Sequence, residues 1–354
     1  MGARRHIIKS CLTLLGVIPL CHRVGYAQVD GSDSSAQHGK KPTVKLSGYV
    51  QFFYRARFDV NRDGIVDPDF FRVQRVRIEI KGRITPHIRY DVEVDPRAPE
   101  ITGVLRDAFI SLDYIPHHNL RLGQQKTQFG YENRESSTRL FTVNRSEVSD
   151  NLSRGVTLRD IGLGLIGRWS LQKGFAIEDA ITLVNGSGMN VQADSTKRKN
   201  LWARIGGRYK RDSVTARLGL SFASGDQQEV ADPGPPRVPG FTFDFRRWGA
   251  DVEVDHPWGF LAAEYVKGED NAPASVPDAS GTRSGYYVIL AGKTRWHLGP
   301  LVRYDQLETY QRWTYGAFYG LPSDDLRLLL NYEVWQDDLG RHDDKLYLWI
   351  QTRF

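Results

Sequence analysis

Leu346-Tyr-Leu-Trp-Ile-Gln-Thr-Arg-Phe354, the last nine residues of the chain, form the stretch whose reading decides the fold. Leu346, Leu348, Ile350, Thr352 and Phe354 fall on one face of an extended strand; Tyr347, Trp349, Gln351 and Arg353 fall on the other. A strand with lipid on one side and water on the other needs this apolar-out, polar-in alternation. A half-buried strand of a soluble sandwich shows it as well, so these residues alone leave both architectures open.

The rest of the chain separates them. From Thr43 onward, short alternating runs follow one another. Val44, Leu46, Gly48, Val50 and Phe52 oppose Lys45, Ser47, Tyr49, Gln51 and Arg55; Val76, Ile78 and Ile80 oppose Arg75, Arg77, Glu79 and Lys81. Ile88, Tyr90, Val92 and Val94 oppose Arg89, Asp91 and Glu93, and Leu326, Leu328, Leu330, Tyr332 and Val334 continue the theme near the end. Short joints marked by Pro86, Pro116, Pro257, Pro300 and Pro322 alternate with longer polar ones near 59–69, 96–103, 129–156, 186–199, 225–241, 269–283 and 337–343. No proline after the leader is expected inside a strand, because it lacks the N–H that the ladder uses. Alternating short and long connections imply an all-β fold: a transmembrane antiparallel β-barrel of about 16 strands, with short periplasmic turns and longer extracellular loops. An even strand number puts both termini on the periplasmic side. The phase of strands 2, 5, 7 and 13 stays open at this level.

Residues 1–27 read as a cleaved secretory signal: Arg4, Arg5 and Lys9, then a short apolar core, then Gly25-Tyr26-Ala27. That core falls short of the ~20 apolar residues of a membrane-spanning helix. Residues 28–42 read as a periplasmic polar linker, and 43–354 as the barrel. Both cysteines, Cys11 and Cys21, lie in the leader, so the exported chain has no thiol chemistry. Removing Arg4, Arg5, Lys9 and Arg23 from the 48 basic residues, against 42 acidic ones, leaves a formal charge of about +2. The basic pI therefore gives no support to a nucleic-acid partner.

Residues 105–146 carry a more specific signal. Leu105-Arg-Asp-Ala-Phe109 precedes Asn119-Leu-Arg-Leu-Gly-Gln-Gln-Lys-Thr-Gln-Phe-Gly-Tyr-Glu132, followed by Arg139, Phe141 and Arg145-Ser146. The stretch resembles the phosphate-selective porin O/P family, in which a strand ends in Gly-Gln-x-Lys-x-x-Phe-Gly before a long third loop. Phe71-Arg-Val-Gln-Arg-Val-Arg-Ile-Glu-Ile-Lys-Gly82 and Arg159-Asp-Ile-Gly-Leu163 agree with it. The terminal Phe354 is similar to the aromatic that the barrel-assembly machinery reads in bacterial outer-membrane proteins. The resemblance implies a homotrimeric outer-membrane porin, embedded among lipid and lipopolysaccharide, that passes small hydrophilic solutes by passive diffusion and narrows at an inward third loop. Lys126 matches the motif lysine, and Arg134, Arg139 and Arg145 fall on the matching loop.

Candidate pore residues follow from the inward faces. Arg55, Arg75, Arg77 and Lys126, with Arg134, Arg139 and Arg145 on the loop, would lower the barrier for small anions such as phosphate, since a guanidinium presents a planar fork to an oxyanion. Pairing with acids on neighbouring strands, such as Glu93 and Asp107, is the competing role for the same side chains. Asp59, Asn61, Asp63 and Asp67 space oxygen ligands like the start of a calcium loop, but Phe70 stands where the bidentate Glu belongs, and hairpin loops share this composition. No cofactor other than calcium is implied. His117, His118, His256 and His297 lie beside turns without a nucleophile motif, so a non-enzymatic protein is expected. A structural or adhesive surface barrel, and then an outer-membrane enzyme, are the alternatives. Deleting Phe354 is expected to reduce the amount of heat-modifiable barrel recovered from membranes; undiminished recovery would contradict a role for the terminal aromatic in assembly.

Overall fold

The computed structural model describes residues 42–58, 69–97, 103–153, 157–191, 194, 196, 198–232, 238–272, 280–338 and 340–354. The leader, most of the linker and the calcium-like stretch with Asp59, Asn61, Asp63 and Asp67 lie outside them. The described strands run in chain order as β1 (Thr43–Phe58), β2 (Phe70–Thr85), β3 (Ile88–Val94), β4 (Leu105–Leu112), β5 (His118–Lys126), β6 (Arg159–Ser170), β7 (Phe175–Val184) and β8 (Asn200–Arg211). They continue as β9 (Val214–Asp232), β10 (Val238–His256), β11 (Gly259–Asn271), β12 (Gly281–Gly292), β13 (Leu298–Leu307), β14 (Tyr310–Tyr319), β15 (Leu326–Asp337) and β16 (Asp344–Arg353). A two-residue rung, Gly340–Arg341, extends the β15–β16 hairpin by pairing with Gln336 and Asp337.

Each strand pairs antiparallel with its neighbour in sequence, and β1 pairs with β16 from Tyr49↔Arg353 to Phe58↔Asp344, which closes the sheet. Closure follows from the medium: hydrocarbon supplies no hydrogen-bond partner, so an open edge leaves unpaired groups that cost several kcal/mol each. The alternation read from the last nine residues holds in space. Leu348, Ile350 and Phe354 face outward, while Tyr347, Trp349 and Gln351 are buried inward. Outward aromatics gather at both rims, as interfacial rings do. Trp258 and Trp296 sit in the β10–β11 and β12–β13 turns, and Tyr304 packs 4.7 Å from Trp313 near the opposite rim.

Four local departures from the expected pattern have backbone causes. Register slips between Gln51↔Arg75 and Phe52↔Val73, a bulge that explains the unclear phase of the second strand. Pro300, expected in a turn, is instead the third residue of β13; the β12 ladder begins only at Leu301, so the missing N–H breaks no rung there. Pro239 also lies within a strand, at a register shift of β9–β10. The joint expected over 225–241 is shorter than anticipated, because β9 and β10 each run 19 residues, well beyond the ~9–11 that span a bilayer.

Gly48 sits where three strands and the chain end meet. It exchanges both backbone hydrogen bonds with Phe354, at 3.0 and 3.1 Å. A Cβ there would lie 2.3 Å from the Phe354 ring and 2.4 Å from the Arg77 carbonyl oxygen. Gly48→Val is expected to destabilise the barrel by about 2 kcal/mol, the scale of overpacking, seen as a lower temperature for conversion of the folded gel band to the unfolded one. An unchanged conversion temperature would contradict this closure geometry.

Candidate functional site

The connection between β5 and β6, described over 127–153 and 157–158, turns into the lumen. It carries its own apolar set, Phe129, Tyr131, Phe141, Val143, Val148 and Leu152, all buried. These pack on inward side chains of β8 and β10–β14: Phe129 lies edge-on 5.8 Å from Trp202, and Phe141 lies 4.9 Å from Phe260 and 5.0 Å from Phe318. Burying an aromatic side chain stabilises by about 1.5–3 kcal/mol, so the loop holds to the wall as a small core. Gly130 makes the approach possible. Its φ is +58°, and a Cβ there would lie 1.8 Å from a Glu264 oxygen.

Polar clamps fix the same face. The Glu264 carboxylate accepts from the Tyr131 N–H at 3.0 Å and from the Tyr287 hydroxyl at 2.8 Å. Arg303 donates to the Thr142 hydroxyl at 3.1 Å and the Asn144 carbonyl at 2.7 Å; Arg312 reaches the Arg145 carbonyl at 2.6 Å, and Arg327 the Leu140 carbonyl at 3.0 Å. Asn331 and Asp305 accept from the Val143 and Glu147 N–H groups at 2.8 and 3.1 Å. Arg303 and Arg312 also share Asp305, each at 3.0 Å. The arginines of β13–β15 are thus engaged in holding the loop, with each charge-assisted bond worth about 1.5–3 kcal/mol.

The opposite side of the lumen stays open. Three cavities follow one another along it. An upper one of about 720 Å³, near the long loops, is lined by Arg55, Arg72, Arg75, Arg77, Arg97 and Arg106, with Asp95 as the one acid among the described lining residues. A middle one of about 550 Å³ shares Arg75, Arg77 and Arg106 with it. A lower one of about 650 Å³, near the short turns, shares Arg121, Gln128 and Arg134 with the middle. The described lining of the middle cavity has nine Lys/Arg against six Asp/Glu.

Pairing decides how much of that charge is felt. Arg77 meets Glu93 at 3.2 Å, Arg159 meets Asp107 at 2.6 Å, and Lys81 meets Glu79 at 2.6 Å. Among the described residues, Arg75, Arg106, Arg121, Lys126 and Arg145 instead meet neutral acceptors. Arg75 donates to Gln51 at 2.8 Å, Arg106 to the Met189 sulfur at 3.4 Å, and Arg121 to Asn119 at 3.1 Å. Lys126 donates to the Glu135 carbonyl at 2.8 Å, and Arg145 to the same oxygen at 3.1 Å. A carbonyl satisfies the donor without cancelling its charge. On the loop itself, burial and the neighbouring Arg204 lower the Arg134 guanidinium, while burial raises the Glu147 carboxyl against the pull of Arg312.

The structure therefore places Arg55, Arg75 and Arg77 in the upper cavity and Lys126, Arg134 and Arg145 in the middle one. Arg139 lines none of the three; it pairs with Glu135 at 2.7 Å and is half exposed. Arg106, Arg121 and Arg159 belong to the path although the sequence reading did not single them out as pore residues. Arg121 was legible from its place between Leu120 and Leu122. Arg106 was not, because simple alternation with Asp107 turns it outward, whereas a register shift between Glu93↔Asp107 and Val94↔Leu105 turns it in. Among the described residues, no cluster of His, Cys, Asp or Glu could hold a metal.

The sequence signature of the family described as phosphate-selective porin O and P matches residues 44–205. A comparison with curated proteins finds no match. Solved structures share the fold at low identity. A loop L8 deletion mutant of OmpT, an outer membrane protein of Vibrio cholerae, is 8% identical with a TM-score of 0.64, covering 89% of this chain and 100% of that one. An anion-selective porin from Comamonas acidovorans is 14% identical with a TM-score of 0.61 and the same coverage. The outer membrane channel DcaP of Acinetobacter baumannii is 14% identical with a TM-score of 0.57, covering 89% and 98%.

Glu264→Ala strands the buried Tyr131 N–H and Tyr287 hydroxyl, a loss of about 1–3 kcal/mol, and is expected to loosen the loop. Bilayer recordings should then show noisier current and a higher open conductance, and excising 133–151 should raise conductance further. Conductance that stays native in both variants would show that the loop does not set the bore.

Proposed function

We propose that this chain, a protein of the phosphate-selective porin O and P family by its match over residues 44–205 and hence an outer-membrane channel, passes small anions in preference to cations. The observation that carries this reading is the set of five cations, Arg75, Arg106, Arg121, Lys126 and Arg145, whose hydrogen bonds end on neutral acceptors along the open side of the lumen. An anion passing them gains attraction in a partly desolvated space, while Glu93, Asp95 and Asp107 are engaged by Arg77 and Arg159, and Glu79 and Asp91 by Lys81. The preference is mild, because the six acids of the middle cavity temper it. Phosphate as the natural solute rests on the family's description alone.

The same reading carries a homotrimer, for which one support is a structural neighbour described as the trimer form of OmpT, 9% identical with a TM-score of 0.57. It includes export by cleavage of residues 1–27, assembly through Phe354, lipid and lipopolysaccharide as surroundings, and calcium at 59–67 as an optional loop ligand. No catalytic step belongs to it.

Planar-bilayer recording in a KCl gradient tests the reading. The native channel is expected to reverse on the chloride side, and Lys126→Glu to reduce the chloride-to-potassium permeability ratio several-fold, about 1 kcal/mol for a partly screened charge. Arg139→Gln, outside the path, should leave the ratio unchanged. At 1 M salt, where the screening length is about 3 Å, the native preference should shrink. A native channel that favours potassium, or a Lys126→Glu channel with an unmoved reversal potential, would overturn the anion assignment; a chain that inserts without conductance would favour a structural barrel.

A further inference from the structure

The upper cavity carries three rings beside its arginines: Phe53 on β1, Phe70 at the start of β2 and Tyr347 on β16. Phe53 lies 5.8 Å from Phe70 and 5.7 Å from Tyr347. Phe53 and Tyr347 belong to the buried apolar set that anchors the inward loop, and Phe70, only partly buried, packs against that set. Among the described residues, Phe70 makes its ring contacts with Phe53 and with the Arg55 guanidinium, 4.3 Å over its face, rather than with a ring of the loop. A porin lumen is polar because water fills it. An aromatic ring that reaches the path there is a departure.

One backbone irregularity delivers both the ring and a cation. The β1–β2 register passes from Gln51↔Arg75 to Phe52↔Val73, skipping Gln74. Beyond this bulge Phe71 and Val73 are exposed on the outer wall, while Phe70 and Arg72 turn to the cavity beside Arg75. The pairs Phe53↔Arg72 and Arg55↔Phe70 then alternate ring and guanidinium along both strands and across them. Arg106 reaches the same cavity through the β3–β4 shift. Arg72, Arg75 and Arg106 have no carboxylate partner among the described residues. Asp95, the one acid of the described lining, is shared by Arg77 at 3.5 Å and Arg97 at 3.9 Å.

We infer that the upper cavity recognises organic anions whose charged group is carried on an aromatic ring. Arg72, Arg75 and Arg106 hold the anionic group, and the ring lies beside Phe70 and the Arg55 guanidinium. This rests on the anion reading above and names a solute class within it. At about 720 Å³ the cavity falls in the range of small-molecule pockets, about 300–1,000 Å³. A guanidinium serves both halves of such a solute: its edge forks onto an oxyanion, and its weakly hydrated face stacks on a ring. An inorganic anion uses the first half alone and a neutral aromatic the second alone. Neither accounts for one bulge bringing Arg72 and Phe70 to the path together.

Block of the chloride current in planar bilayers tests the inference. Phenyl phosphate, cyclohexyl phosphate and methyl phosphate, all dianions at about pH 8, are added on the long-loop side of the refolded channel. Cyclohexyl phosphate matches the bulk and charge of the phenyl ester without its π face. Phenyl phosphate should reach half block at a concentration at least fivefold lower than either of the others. Phe70→Leu, which keeps apolar bulk and removes the ring, should bring the phenyl and cyclohexyl esters within twofold of each other. Arg72→Gln should raise the half-blocking concentration of phenyl phosphate at least fivefold. Heat-modifiability checks that both variant barrels are folded, and Arg139→Gln, outside the path, should be blocked as the native channel is. Equal block by phenyl and cyclohexyl phosphate in a native channel that still prefers chloride would overturn this inference and leave the anion reading standing. A native preference for potassium would overturn that reading and this inference with it. Native discrimination in both folded Phe70→Leu and Arg72→Gln channels would overturn the placement in the upper cavity.

Discussion

Every backbone N–H and C=O at membrane depth must find its partner inside the protein, and the β1–β16 ladder is where this chain satisfies that requirement. The junction runs from Tyr49↔Arg353 to Phe58↔Asp344 and ends in the exchange between Gly48 and Phe354. Without it the sheet has two edges and no lumen. With it, each inward side chain gains a neighbour across the barrel, and the 127–158 loop gains an enclosure to pack in.

The loop divides that enclosure unevenly. Its apolar face takes the wall of β8 and β10–β14, and its main chain takes the guanidinium groups of Arg303, Arg312 and Arg327. Arginine thus does two different jobs in one lumen. On the packed side it is fully buried, shares Asp305 and Glu333, and fixes backbone carbonyls. On the open side Arg75, Arg106 and Arg121, with Lys126 and Arg145, place their hydrogen bonds on amides, carbonyls or sulfur, and none of the five pairs with a carboxylate among the described residues. Hydrogen-bond satisfaction and charge compensation are separate quantities, and the contrast between Arg312 and Lys126 shows why the distinction matters for permeation.

Much of the barrel is legible in the chain because alternation is enforced at every strand by lipid on one side. Leu348, Ile350 and Phe354 lie where their spacing puts them, and so do the short turns around Pro86, Pro116, Pro257 and Pro322. What alternation misses is where the backbone breaks its own period. The bulge beside Arg75 brings Arg72, and the shift beside Asp107 brings Arg106, to the upper cavity, a face that counting by twos does not assign to either. Pro300 enters a strand because only one of its two neighbouring ladders reaches it. Ion pairing was legible least of all. Arg204 meets Asp251 and Arg159 meets Asp107 across wide sequence separations, and no local pattern tells a paired arginine from one facing the path.

Permeation uses the side of the lumen facing β2–β6, while the loop seals the other. Single cysteines placed at Gln128 or Thr157, on the open cavities, and at Ala223 or Val266, under the packed loop, test it directly with a small anionic thiol reagent applied during bilayer recording. Current should fall on reagent addition for the first pair and stay constant for the second. Modification at Ala223 or Val266 with a change in current, or none at Gln128 and Thr157, would contradict it.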